Sequence, residues 1–255
     1  MALLKTPVKI AMVEYTNTLP FQWAIKHQPL QWPYELHQYY PRKCAHALMQ
    51  GAADLALLPV GQLSALNNYH ICSPFGISAN GRVDSVKLYS EVPLQNITEL
   101  LLDYQSATSV ALAKLLCKTL WNIQPVFIET QPGFEKNISG NKAGIVIGDR
   151  TFSMNGHFPL ELDLSEQWQI HTRLPFVFAV WVSLKPLDPD FLTAFEACLS
   201  YGISNIDRAI LTRPFPEHKL LHTYLKQRIE YRLDERKYKA LEMFLNLLKN
   251  SETSF

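Results

Sequence analysis

The chain has 255 residues, of which 47% are hydrophobic and 18% charged. That length fits one or two domains, and that apolar content excludes an intrinsically disordered chain. A formal net charge of +1 supplies no field to draw nucleic acid or an anionic membrane, so no nucleic-acid or membrane partner is expected.

Met1 to Lys5 lead into Thr6-Pro7 and a short apolar run broken by Lys9, which is too short for a secretory signal. No window reaches the length of a membrane span, and the reading is cytoplasmic. The four cysteines, Cys44, Cys72, Cys117 and Cys198, show no C-x-x-C spacing and read as buried free thiols.

In chain order, Val8 to Val13 predicts a strand, followed by the polar turn Tyr15 to Thr18 and a helix from Leu19-Pro20 to about Lys26, with Thr18 as N-cap. Tyr34 to Tyr40 predicts a second strand. Pro41 to Gln50 predicts a helix stopped by Gly51. Asp54 to Leu58 has the near-continuous apolar character of a parallel strand covered on both faces. Ser85 to Ser90 alternates with a period of two, and Glu99 to Leu102 predicts a strand. After Asp103 to Ser109 a helix runs from about Val110 to Trp121, then a strand over Gln124 to Ile128, a loop over Phe134 to Asn141, and a buried strand Ala143 to Ile147. The β-α-β-α-β order thus occurs twice, each time with glycine ahead of a buried strand (Gly51, Gly140), which suggests two similarly built lobes. Pro175 to Ser183 is apolar and β-prone. Asp188 to Leu211, Pro216 to Tyr231 and Asp234 to Leu248 have helical spacing, the last with a stripe of Tyr238, Leu241, Leu245 and Leu248 expected to dock on the first lobe.

The expected fold is α/β: two lobes of the type II periplasmic-binding-protein kind, with a hinge of two crossover strands near Ser85 to Ser90 and Phe176 to Ser183, and a C-terminal helical tail. Lobe 1 is expected over 1–86 and 182–255 and lobe 2 over 87–181, with substrate in the cleft where strand carboxyl ends and helix amino ends converge.

Three sets of residues carry candidate chemistry. Ser106, Thr108 and Ser109 surround a helix start, where backbone N–H groups and the helix dipole favour an anion. An N-cap is the simpler reading. Thr16, Asn17 and Thr18 occupy the equivalent turn of the first lobe, and Asn17 offers both donor and acceptor. Gly148 and Asp149 end the strand Ala143 to Ile147, where a carboxylate can face the cleft or pair with Arg150. Ser85 lies beside the expected hinge without a G-x-S-x-G elbow, so a serine hydrolase is unsupported. His218 and His222 are four apart but lack an H-E-x-x-H pattern, and no phosphate-binding glycine loop is present, so neither metal nor nucleotide cofactor is expected.

In combination, these segments resemble the chorismate dehydratase family of the futalosine route to menaquinone. The resemblance runs through Tyr15 to Phe21, Gly51 to Pro59, Ser85 to Ser90, Leu102-Asp103 with Ser106 to Ser109, Ile147 to Asp149, and most distinctively Thr172 to Trp181. It implies a cofactor-free, metal-free hydro-lyase acting on chorismate as a small-molecule substrate. Asn17 and Ser85 match the catalytic positions. Ser106, Ala107, Thr108 and Ser109 match the carboxylate-binding turn, and Thr16, Thr18, Gly148 and Asp149 complete the substrate contacts. Ala107 departs from the family, which often carries a larger polar residue, such as Arg, at that position. Two rivals remain. One is the sister enzyme that makes a dihydroxynaphthoate, for which a catalytic His in the second lobe is expected; His157 is the nearest here. The other is a non-catalytic binding protein for a small carboxylate.

Overall fold

The apolar run Val8–Val13 forms β1, whose last four residues are buried. A 3-10 turn over Thr16–Thr18 leads into α1, Leu19–His27. β2 (Tyr34–Tyr39), α2 (Pro41–Met49) and the wholly buried β3 (Leu55–Pro59) follow. Gly51, at φ +71, makes the turn between α2 and β3 in a conformation that L side chains resist. β4 spans His70–Ala79. The structure is a computed structural model. It describes residues 6–252 apart from 29 and 40, with backbone alone at 41, 42, 251 and 252. The readings of Met1 to Lys5, and of Tyr40 as the end of the second strand, lie outside the described residues.

Next come β5 (Val86–Ser90), β6 (Glu99–Leu102), α3 (Ala107–Leu116) and β7 (Val126–Glu129). They are followed by β8 (Lys142–Ile147), the short α4 (Arg150–Met154), β9 (Leu160–Asp163) and α5 (Leu164–Thr172). β10 (Phe176–Ser183), α6 (Pro189–Ser204), α7 (Ile206–Ile210), α8 (His218–Thr223), β11 (Glu230–Arg232) and α9 (Glu235–Glu252) complete the chain.

These elements form two units. Unit 1 holds the chain up to Ser78 and Val177–Asp234; unit 2 holds Ala79–Phe176 and the chain from Glu235. The sheet of unit 1 has the order β11-β4-β10-β3-β1-β2, and that of unit 2 the order β7-β6-β8-β5-β9. In the first, β1 lies between β2 and β3, parallel to both, and β10 runs antiparallel to β3. In the second, β6 lies between β7 and β8, parallel to both, and β5 runs antiparallel to β8. The same arrangement appears twice, as the repeated element order suggests.

Several expectations need correction. The chain passes from unit 1 to unit 2 inside β4, at Ser78 and Ala79. Ser85 to Ser90 is therefore no crossover: β5 is an inner strand, paired with β8 on one side and β9 on the other. Pro74 and Gly76 break the strand signal of β4, yet both fit it. The Pro74 carbonyl accepts from Leu233 N at 2.7 Å. A Cβ on Gly76 would stand 2.5 Å from the Ala179 carbonyl oxygen, so only glycine lets β10 lie this close. The second passage falls between Phe176 and Val177, at the start of β10. Tyr231, read as helical, lies in β11, after a π-helical turn over Tyr224–Arg228 that continues α8.

The terminal helix belongs to unit 2, not to the first lobe. Its buried stripe is Lys237, Ala240, Leu241, Phe244 and Leu248, while Tyr238 is exposed. Phe244 meets Trp168 of α5 and Phe176 edge-on, with centroids 5.9 and 5.1 Å away. Three fully buried rings fix where the helix docks, and edge-to-face contacts of this kind add about 0.5–1.5 kcal/mol each beyond burial.

Candidate functional site

In unit 1 the sequence-predicted turn follows the carboxyl end of β1. Thr16 and Thr18 are buried and Asn17 is half-buried. Thr18 does not cap α1 with its side chain. Its hydroxyl instead donates to the carbonyls of Val13 and Tyr15, both at 2.8 Å, and accepts from Gln22 Nε2 at 2.7 Å. The turn is thereby fastened to the strand it leaves. Tyr231 Oη donates to the Asn17 carbonyl at 3.0 Å, and Tyr231 packs edge-on against Phe21 at 5.3 Å. With its backbone held from both sides, Asn17 presents its amide from a fixed base. Burial holds the Tyr231 phenol well above its usual range, so it remains a donor.

In unit 2 the remaining predicted residues gather at one edge of the sheet. β6 and β8 are parallel, so their carboxyl ends lie side by side. β5 is antiparallel to β8, so its amino end joins them. Ser106 to Ser109, Gly148-Asp149 and Ser85 therefore share that edge. The Ser85 carbonyl accepts from Gly148 N at 2.8 Å, and the Ser85 residue is 3% exposed. Gly148 turns the chain at φ +69 into α4, where Asp149 occupies the cap position without capping through its side chain. Asp149 is exposed.

Ser106 is a true N-cap of α3: its Oγ accepts from Ser109 N at 3.1 Å and donates to Ser109 Oγ at 3.0 Å. These two hydroxyls are engaged with each other and stiffen the helix tip. Thr108 is buried, and half-buried Ala107 offers backbone only.

Two buried carboxylates missed by the sequence reading organise this edge. Asp103 is 1% exposed. Its Oδ1 accepts from Gln105 N at 2.9 Å; its Oδ2 accepts from Ile147 N at 3.0 Å and from Arg150 Nη2 at 2.6 Å. Burial pushes its carboxyl above the usual range, against the pull of Arg150 and the two N–H groups. Asp163 caps α5, accepting from Ser165 N at 3.0 Å and Glu166 N at 3.2 Å. Its second oxygen takes Val83 N at 3.0 Å and Asp84 N at 2.6 Å. That grip holds Asp84 at φ +63, immediately before Ser85. Burial raises the Asp163 carboxyl as well, with these N–H groups opposing it. For Asp103 the available signal was a carboxylate just after the mostly buried strand β6, and for Asp163 a carboxylate that ends β9 one residue ahead of a helix.

Lys87 was also missed. It shares the Ser85 face of β5, is 3% exposed, donates to Asn155 Oδ1 at 2.6 Å and lies 3.6 Å from Glu161. Among the described residues, no group of three or more His, Cys, Asp or Glu side chains is placed to hold a metal ion. No described helix is long and apolar enough to cross a membrane.

Two α/β units, each with a mixed sheet and turns at the strand carboxyl ends, make up a fold like that of the periplasmic binding proteins. The Candida albicans CA3427 gene product, described as exhibiting the generic periplasmic binding protein fold, superposes with a TM-score of 0.70 at 11% identity over 97% of this chain and 90% of that one. At the sequence level, the family model described as menaquinone biosynthesis matches residues 8–250. The chain belongs to that menaquinone biosynthesis family. The chorismate dehydratase of Thermus thermophilus is 25% identical over 95% of this chain and 95% of its own. That of Campylobacter jejuni is 27% identical over 93% and 96%.

Proposed function

We propose that the chain is a chorismate dehydratase, a hydro-lyase that removes water from chorismate and leaves the enolpyruvyl ether of a hydroxybenzoate. The observation that carries this reading is the match, over nearly the whole chain, to two relatives named for that activity. The geometry of unit 2 supports it, because one sheet edge collects Ser85, the capped tip of α3 and the Gly148-Asp149 turn.

The reaction takes the ring hydrogen at the ether carbon and the neighbouring hydroxyl, and the gain of an aromatic ring drives it. The work left to the protein is to select this elimination over other reactions of the substrate, by fixing its two carboxylates. The tip of α3 suits one of them. Asn17 and Ser85 are neutral donors suited to charge that builds on the ring carboxylate or on the leaving hydroxyl. The proton acceptor in this reading is the enolpyruvyl carboxylate of the substrate itself. It rests on the absence of His, Lys and Glu from the turns Thr16–Thr18, Ser106–Ser109 and Gly148–Asp149.

The test is to mix purified protein with chorismate and follow the aromatic ether. Asn17→Ala and Ser85→Ala are expected to fold normally and lose most of the rate. Near-normal rates in both remove them from the mechanism. Chorismate bound but unchanged by the wild type identifies a binding protein instead. Asp149→Asn without turnover, at unchanged chorismate affinity, makes Asp149 the base.

A further inference from the structure

Asp103, Glu135 and Arg150 come from three separate segments of unit 2, yet one guanidinium joins them. Arg150 is the first residue of α4 and directly follows Gly148-Asp149. Its Nη2 donates to Asp103 Oδ2 at 2.6 Å and to Gln105 Oε1 at 3.2 Å. Its Nη1 donates to Glu135 Oε1. The guanidinium also lies over the rings of Tyr104 and Phe134, 5.3 and 5.8 Å from their centroids. Asp103 in turn holds Gln105 N, ahead of the α3 tip, and Ile147 N, at the end of β8. The next residue, Gly148, in the turn after that strand, is bonded through its N–H to the Ser85 carbonyl. A continuous chain of hydrogen bonds thus runs from the α3 tip through Asp103 to the backbone beside Ser85, and Arg150 is the cation that neutralises its buried carboxylate.

We propose that Arg150 is a positioning residue for chorismate: acting through Asp103, it fixes the turn Tyr104–Ser109 against the end of β8. This rests on the chorismate dehydratase reading. The physics concerns the state of Asp103 without its partner. A fully buried carboxylate that loses its cation is left uncompensated. Two routes relieve it: the turn opens to water, or the carboxyl takes up a proton and presents a weaker acceptor to Gln105 N and Ile147 N. Either route loosens the turn. Substrate then binds a fraction of molecules in which the α3 tip is correctly placed, so apparent affinity falls by that fraction. The network leaves Asn17 outside it and reaches Ser85 only at its carbonyl, through Gly148 N, so the chemical step in a bound complex is expected to be largely preserved.

Arg150→Gln and Arg150→Lys distinguish this role from simple support of the fold. Loss of folded protein lowers kcat and leaves KM unchanged. Mispositioning raises KM and leaves kcat. The expected result for Arg150→Gln is a KM for chorismate raised about tenfold with kcat within about threefold of wild type. Amide exchange at Gln105 and Ile147 should be faster by about tenfold or more. Arg150→Lys restores charge without the planar fork and is expected to recover part of the KM change. An unchanged KM, a fall in kcat alone, or unaltered exchange at both amides overturns the proposal. Exchange is read without substrate, so it judges the network even if the wild type leaves chorismate untouched. That second result would sink the functional reading by itself.

Discussion

Gly202→Ala sets two effects of opposite sign against each other at the contact between α1 and α6. Alanine in a helix is worth about 1 kcal/mol over glycine, so propensity alone predicts a more stable protein. Packing predicts the reverse. A Cβ at Gly202 would lie 2.2 Å from the Pro20 carbonyl oxygen and 2.7 Å from Ala24 Cβ. The first of these is backbone and cannot rotate away. A carbon–oxygen contact needs about 3.3 Å, so α6 would have to retreat by about 1 Å. A gap of that size forfeits about a quarter to a half of the dispersion energy along the face it opens. Phe195, Cys198 and Leu199 of α6 are all buried, so the loss is spread over a packed surface. Overpacking of this kind costs about 1–3 kcal/mol, and with the dispersion loss it outweighs propensity by about 2 kcal/mol. With a urea slope of about 2 kcal/mol per molar, the midpoint should fall by about 1 M. Activity should fall too, because Pro20 lies two residues beyond Thr18 and any shift of α1 displaces Asn17. Urea unfolding followed by circular dichroism reads the first effect. A midpoint unchanged or raised would refute the packing argument and show that the helices separate at little cost.

Phe244→Ala removes the ring that α9 packs against the touching pair Trp168 and Phe176, and should cost about 3–5 kcal/mol, seen as faster amide exchange in α9 and α5. Burial pushes the thiols of Cys44 and Cys117 up to about 12 and that of Cys198 to about 11. An aromatic disulfide reagent at about pH 8 should therefore modify half-buried Cys72 first and the other three only on unfolding. The same three thiols bind protons more tightly folded than unfolded. Their contribution to stability is present below the ordinary thiol value of 9.0 and is lost as pH climbs from there toward about 11 for Cys198 and about 12 for Cys44 and Cys117. A pH series of urea midpoints checks that sign.

The placement of the candidate residues at turns after strands was legible because they sit where local chemistry is loud. Ser106 to Ser109 follow a buried strand and open a helix, a place where a hydroxyl caps, as Ser106 does, or meets an anion. Gly148 had to turn sharply after β8 and does so at positive φ. The supporting carboxylates were harder to read, because Asp163 acts on Val83 and Asp84, some eighty residues earlier. No local pattern announces a partner that distant. Strand β4 was missed because Pro74 and Gly76 are strand breakers in general and are accommodated here by particular neighbours, β11 and β10. The docking of α9 was misread because its stripe was only half right: Leu241 and Leu248 are buried as expected, but Tyr238 is exposed, and Lys237, Ala240 and Phe244, which were not counted, complete the buried face.

The last eighteen residues that form α9 complete a core begun some 150 positions earlier, at Ala79. A ribosome therefore emits every strand of both sheets before the piece that covers Trp168 and Phe176. Until that moment, nascent protein carries an uncovered aromatic surface on its middle third, a natural target for chaperones. A premature stop near Glu235 would spare the sequence of unit 1 entirely and still yield a sticky product. C-terminal trimming, usually harmless on a small enzyme, is here an operation on the half that carries Ser85.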